Sequence, residues 1–385
     1  MIRQIHTCAA LAFLTLAARS PAQIAVSAND GKARPAAEPD APRTADSITV
    51  LDLGRTPVRQ LATLPVPGSV VGPPSGVALT RDSRLVIVAA AQTLDAEGKL
   101  AHADIVSLID LSRPAAPRLV QTAHAGAGAA GVAINPAGTL VLVANMEADS
   151  VSVFALADHR LTPLDTIRFD PKTRPADVGF APDGRTAYVV AMGTSRLVPL
   201  AVAGQRLTRA GDGIAIGPQP YSLTISPKGD RAYVSHLGGR APSATRGPKP
   251  GAIGIVDLAA GRMIDQVDTG ITPEHIGLSP SGRYLAAVVQ NGSTAPRDSP
   301  AYKDYGLLVV FRTGASGLVP VAEARTGAWC QGAAWRTDET LVMVQCSAAK
   351  QIEAFRFDGR ALQADRASLI QLDARPGAIA TARHN

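Results

Sequence analysis

Apolar and polar residues alternate in short bursts along this chain, and a turn signal breaks each burst. In residues 175–190, PADVGFAPDGRTAYVV, Val178 and Phe180 alternate with smaller residues before Pro182-Asp183-Gly184 interrupts. Ala187-Tyr188-Val189-Val190 then resumes the apolar run. A period of two marks a strand with one apolar face, and β-branched and aromatic residues fit such a strand. Proline presets φ for the turn, while glycine accepts the left-handed backbone that costs other residues energy. The pattern predicts a β-hairpin.

The same hairpin recurs. Copies run through 75–88 (with a degenerate turn, Thr80-Arg81-Asp82-Ser83), 130–143, 175–190, 220–234, 273–285 and 330–344, and a truncated copy starts at Pro376. Anchored on Val77, Val132, Val178, Leu223, Ile276, Ala333 and Ile379, the spacing is about 45 to 57 residues, the range of four-stranded propeller blades. Third strands are predicted at 104–111, 150–156, 196–202, 252–258, 306–312 and 351–357. Fourth strands follow at 161–169 and 262–269. A single blade cannot bury both faces of its sheet, so the copies must stack around an axis.

The last copy ends before its turn. Residues 23–27, 47–53 and 58–66 supply what it lacks, reading as second, third and fourth strands. Pairing both termini in one sheet removes the open edges of the array. The expected fold is therefore all-β: a seven-bladed β-propeller of four-stranded antiparallel blades, closed by N- and C-terminal strands sharing one blade. A single domain spans 23–385. The stretch 28–46, rich in Pro, Ala and charge, reads as a flexible insert.

Residues 1–22 have the form of a secretory signal peptide: Arg3, an apolar run over 9–18, and small residues at Ser20-Pro21-Ala22. The run is too short to span a bilayer, so a periplasmic or secreted protein is expected. Loss of this segment removes Arg3 and Arg19 and no acid, lowering the net charge of +6 by two. No basic run is interleaved with aromatics, which argues against nucleic-acid binding. The mature chain keeps Cys330 and Cys346. If Arg336 faces Thr340 across the turn, the same register sets Cys330 opposite Cys346, and a cross-strand disulfide is expected. Two free buried thiols are the alternative.

Catalytic and cofactor signatures are sparse. Gly126-Ala127-Gly128-Ala129-Ala130-Gly131 matches the dinucleotide fingerprint but leads into a strand instead of a helix. There is no Gly-x-Ser-x-Gly elbow, no His-Glu-x-x-His, no haem-attachment Cys-x-x-Cys-His and no zinc pattern, so no cofactor or metal is expected. Asn291-Gly292-Ser293 is a glycosylation sequon, which matters little if the source is bacterial.

Geometry supplies the remaining candidates. The loops entering each innermost strand and leaving the second share one rim. Entering positions hold Asp177, Tyr221, Glu274, His275, Trp329 and Gln331; leaving positions hold Asn145, Glu147, His236, Gln290, Asn291 and Gln345. Inserts at 238–251 and 291–305 leave from that rim with Arg240, Arg246, Lys249, Arg297, Asp298, Lys303 and Asp304. Of these, Asp177, Tyr221, His236, Gln290, Asn291, Arg297 and Gln331 are the candidate ligand contacts. Glu274 and His275 are the candidate catalytic pair, because an adjacent carboxylate and imidazole can supply a base. For every one of them the competing reading is structural: a partner for channel water or a neighbouring blade.

The hairpins FAPDGRTAYVV, ISPKGDRAYVS and LSPSGRYLAAV, followed by strands such as SVSVFAL and IGIVDLAAGRM, resemble the YVTN-type β-propeller repeat. They are similar also to the seven-bladed lactonase superfamily of 6-phosphogluconolactonase-like proteins. The resemblance covers nearly all of the mature chain and rests on turn and core residues. It implies lactone hydrolysis, which those proteins carry out mostly in the cytoplasm. The paired histidines common at a blade entrance in those lactonases are absent here; Glu274-His275 is the nearest approach. Three functions follow as expectations. The first is a monomeric binding scaffold that presents one rim and its inserts to a protein, polymer or small ligand. The second is a lactonase-like hydrolase, with Glu274 or His275 activating water and an arginine holding an anionic substrate. The third is a redox-partner propeller resembling quinoprotein or cytochrome d1 domains, with His236 or His275 as an axial ligand.

Overall fold

The computed structural model describes residues 23–35, 40–238, 250–315 and 317–382. Seven antiparallel sheets stand in a ring. Their innermost strands, blades 1 to 7, are Val77–Leu79, Ala129–Ile134, Pro175–Phe180, Pro220–Ile225, Pro273–Leu278, Cys330–Trp335 and Arg375–Thr381. In blades 1 to 6 the remaining strands follow in sequence outward, and in blades 3 and 6 a short extra strand also pairs with the third. Blade 7 joins the C-terminal Arg375–Thr381 to Ile24–Asp30, Ser47–Asp52 and Arg59–Leu64 from the N-terminus. Among the described residues no helix is long and apolar enough to cross a membrane.

The core is a set of seams. Among the described residues, the buried apolar side chains sort into seven clusters, each filled from two adjacent blades. Period-two alternation divides each second strand between its two seams. In Leu140–Asn145, Val141 and Val143 pack toward blade 1, while Leu140, Leu142 and Ala144 pack toward blade 3. That strand is buried throughout, whereas the outermost strand of the same blade, Arg160–Arg168, is largely exposed and carries arginine at both ends. Charge along such an edge discourages pairing with another chain.

The hairpin turns also hold the blades together. In successive blades the turn glycine packs on the preceding blade's turn proline: a Cβ at Gly184, Gly229 or Gly282 would lie 3.6, 3.2 or 2.7 Å from Pro136, Pro182 or Pro227. Blade 6 has Glu339 in the glycine position, with φ of 62°. Its carboxylate accepts from Ser281 N (2.6 Å) and Arg283 Nη2 (2.9 Å) of blade 5, replacing the glycine–proline contact with charged hydrogen bonds. Blade 1 has no turn proline, and a Cβ at Gly138 of blade 2 would meet nothing within 4 Å.

Two expectations change. The insert begins at Gly31 and not at residue 28, because Ala28, Asn29 and Asp30 complete a fully buried strand. Their polarity is satisfied inside the sheet: Ser27 Oγ donates to Asn29 Oδ1 (2.6 Å), and Asn29 Nδ2 donates to Thr49 Oγ1 (3.0 Å). In blade 6, Arg336 N donates to Leu341 O, one residue away from the assumed pairing with Thr340. A slip between Cys330 and Ala333 then restores the register, so Cys330 does face Cys346. The two sulfurs are bonded.

The contrast between the turn glycines is testable. Gly138→Ala is expected to cost about 1–2 kcal/mol, the cost of a left-handed L-residue. Gly282→Ala should cost clearly more, since its Cβ also displaces Pro227. Urea unfolding of both variants reads the difference, and equal losses would show that the contact does not matter.

Candidate functional site at the propeller mouth

In blades 2 to 7 the pairing of the first two strands slips by one residue at the same end. Such a bulge sets two residues against one and re-aims their side chains. Tyr221, Glu274 and Gln331 lie within these slips, and Asp177 directly follows one. The strand entrances around the axis are therefore built alike but carry different side chains.

Asp177 is a staple between blades. Its Oδ1 accepts from Ser75 Oγ (2.7 Å), just before the innermost strand of blade 1, and from Val178 N (2.8 Å). Its Oδ2 accepts from Leu223 N (2.8 Å) in blade 4. Reaching Ser75 means passing blade 2, where Gly131 leaves room: a Cβ there would lie 2.6 Å from Oδ1. Tyr221 packs in the apolar seam between blades 3 and 4. These two candidates hold the ring together.

A second set forms an arc over blades 5, 6, 7 and 1. Gln290 Nε2 donates to Glu274 Oε1 (2.7 Å), and Thr294 Oγ1 donates to Gln290 Oε1 (2.8 Å). The neighbouring Ser293 Oγ accepts from Trp329 N (2.9 Å). Two residues on, Gln331 Nε2 donates to Val70 O (3.1 Å) in the loop leading to blade 1. Val70 N donates to Asp30 Oδ2 (3.0 Å). Lys32, buried beside Asp30, contacts Asp30 Oδ1 (3.2 Å), Asp46 Oδ2 (2.8 Å) and the Gly68 carbonyl. Arg375, also buried, donates to the Ser347 and Ala348 carbonyls (2.8 and 2.9 Å), with its guanidinium carbon 5.8 Å from the Trp329 ring centroid.

The disulfide fixes the middle of this arc: Cys330 opens the innermost strand between Trp329, in the bend before it, and Gln331, and Cys346 follows Gln345 on the second strand. Gln345 Nε2 donates to Ser27 Oγ (2.7 Å) and Ala378 O (2.9 Å), and Ser347 Oγ donates to Pro376 O (2.6 Å), so the bridged hairpin also holds blade 7. Beneath it, burial pushes the Glu353 carboxyl above its usual range, opposed by hydrogen bonds from Gln351 and Gly327.

The histidines are placed differently from the expectation. His275 is partly buried, with Nε2 3.1 Å from where a Gly277 Cβ would stand. Glu274, by contrast, is turned to Gln290. His236 is enclosed between glycines: a Cβ at Gly254 would lie 2.5 Å from Nε2, and one at Gly217 would overlap Nδ1. Both ring nitrogens therefore lie against glycines, one in the strand Gly251–Asp257 and one in the loop before Pro220. Asn291, with φ of 54°, starts the blade 5 insert and donates from Nδ2 to Tyr305 O (3.5 Å). Arg297, Asp298, Lys303 and Asp304 are exposed on that insert, and none is joined to the arc. Arg240, Arg246 and Lys249 lie outside the described residues, as do residues 1–22, the expected signal peptide.

Sequence reading overlooked part of the rim. The blade 1 hairpin Leu85–Leu94 to Leu100–Asp110 extends beyond its neighbours, and Arg43 Nη1, from the blade 7 insert, donates to Gly98 O on it (2.7 Å). Asp95 and Gly98 had marked that turn. Nothing local marked Ser75, Lys32 or Arg375, whose partners are far away in sequence. Among the described residues no group of His, Cys, Asp and Glu is arranged to hold a metal ion.

Two measurements follow. The disulfide closes a loop with a sequence separation of 16, so Cys330→Ser with Cys346→Ser should lose about 3 kcal/mol of unfolding free energy. His236 is held below its usual value of 6.5, mainly by burial, with hydrogen bonding to the Gly217 backbone opposing. The unfolded chain therefore takes up a proton first as pH falls below 6.5, and stability declines until the folded-state value is passed. His236→Gln should flatten that part of the stability–pH curve; an unchanged slope would assign it to other groups.

No family sequence profile matches the chain, and neither does any curated protein sequence. Solved structures do. A protein of Bacteroides fragilis NCTC 9343, provisionally described as a 6-phosphogluconolactonase, superimposes with a TM-score of 0.72 at 18% identity, over 95% of this chain and 99% of its own. The periplasmic gluconolactonase of Pseudomonas aeruginosa gives 0.70 at 16% identity, over 94% and 99%. A dihydro-heme d1 dehydrogenase gives 0.58 at 16% identity, over 96% and 78%. At these identities the likeness is one of architecture, and the chain has the seven-bladed fold of the 6-phosphogluconolactonase-like propellers.

Proposed function

We propose that this protein is an exported propeller that binds a small polar ligand at the mouth, on the arc from Glu274 through Trp329 and Gln331 to the loop before blade 1. The carrying observation is that the polar groups of this arc fix one another. Recognition profits from side chains locked by neighbours. General-base catalysis needs a group aimed at the proton it removes. Glu274 is engaged by Gln290, and His275 lies against its own strand. The leader-like residues 1–22 and the disulfide both support export, where thiols are oxidised.

A second reading is lactone hydrolysis. The lactonase descriptions of two of the structural neighbours favour it, together with a buried carboxylate at the mouth. Glu274 would then act on water, and substrate binding would have to release it from Gln290.

One experiment separates the two. The exported protein is heated with a panel of sugar lactones, sugar acids and cyclic polyols, and each lactone is assayed for turnover. A binder gains about 2.7 kcal/mol at a ligand concentration of 100 times Kd. Stabilisation without turnover supports the binding reading. Turnover abolished by Glu274→Gln establishes hydrolysis. Neither effect with any compound would remove the mouth as a small-molecule site.

A further inference from the structure

We propose that Trp329 is the recognition platform of the mouth, against which a flat ring-shaped ligand stacks; this rests on the reading of the mouth as a ligand site. The chain has two tryptophans, and they have different environments. Trp335 is core: it is buried, donates from Nε1 to Gly277 O (3.0 Å), and packs with Tyr284 and Phe357. Trp329 is partly exposed at the rim. Its backbone has φ of 52°, the left-handed conformation shared by the residue before the innermost strand in blades 2 to 5 (Gly128, Arg174, Gln219 and Thr272), so the blade entrance sets the backbone and what differs at this one is the indole.

The surroundings hold it there from three sides. Ser293 of the blade 5 insert accepts from its N–H (2.9 Å), Ser347 N donates to its carbonyl (2.9 Å), and the next residue is the disulfide-bonded Cys330. The Arg375 guanidinium lies toward the ring at 5.8 Å from its centroid and is itself fixed by main-chain carbonyls. The Trp329 backbone is thus fixed by the blade 5 insert and by its own blade, and the indole has the guanidinium of the ring-closing blade toward its ring. A rigid aromatic offers large contact area at low entropic cost.

The neighbours define the ligand. Glu274 and Gln290 lie along the arc on one side, and Gln331 on the other. Gln331 Oε1 is enclosed and without a hydrogen-bond partner among the described residues. Its amide orientation follows from donation to the Val70 carbonyl, so the oxygen is the group left to accept. An apolar face flanked by acceptors suits a compact ring with C–H bonds on its face and hydroxyl donors on its edge. An open chain with the same hydroxyls presents no such face.

The test compares ring and open-chain pairs on the full exported protein: myo-inositol with D-sorbitol, and D-glucono-1,5-lactone with D-gluconate. Calorimetry should show the ring member of a pair binding at least tenfold more tightly. Trp329→Ala should erase that preference, while Trp329→Phe, which keeps an aromatic face, should retain most of it. Ligand should alter the tryptophan emission of the wild type and leave that of Trp329→Phe unchanged. Wild-type ring preference that survives Trp329→Ala in a normally folded variant overturns the platform and leaves the ligand site standing. Absence of binding by every probe to the wild type overturns both.

Discussion

Each blade is a sheet with two apolar faces and cannot bury either alone. The seven apolar seams descend from that constraint. The alternation within a single strand, such as Leu140–Asn145, commits its side chains to two different seams. Removing one blade would leave two faces in water, so stability belongs to the closed ring and not to the repeat. Closure is consequently the point of greatest reinforcement. Blade 7 combines both ends of the chain, and the Asp30–Lys32–Asp46 cluster, Gln345 and the Cys330–Cys346 bridge all bear on it.

The two ends of the barrel-like ring solve different problems. At the hairpin turns, glycine and proline from successive blades touch, so one short motif makes both the turn and an interblade contact. At the mouth, the bulges interrupt pairing and leave polar side chains near the axis. A buried polar group without a partner is costly, which explains the staples made by Asp177 and Gln331. The same bonds make the mouth rigid. A ligand at the mouth would therefore meet residues that also hold the ring, and a side chain at the axis is not functional merely by being polar.

This is also why the fold was readable and the site was not. Hairpins, blade number and terminal closure follow from local alternation and turn residues, which are encoded within about ten positions of one another. The pairing of Cys330 with Cys346 was reached through a register one residue off at Arg336, because a bulge cannot be counted from alternation. Ala28–Asp30 looked like an insert since composition does not reveal that Asn29 bonds Thr49 across the sheet. Asp177 looked like a ligand contact until its bonds to Ser75 and Leu223, residues of two other blades, were in place. Contacts between distant blades leave no local pattern.

The distribution of inserts explains how such a disc acquires a specific task. Connections between second and third strands are tight in blades 2, 3 and 6 and long in blades 5 and 7, while in blade 1 the two strands themselves are extended. The seams demand only apolar residues at alternating positions, so sequences at 16–18% identity keep the same ring. The rim is under no such demand. Its inserts can change length without disturbing a seam, and here one of them supplies Ser293, whose hydroxyl accepts from the Trp329 backbone. A ligand preference would thus be set by the insert and the side chain it holds, while the strands beneath only fix where that side chain stands. Fold likeness alone leaves the ligand open for the same physical reason that it is so easily recognised.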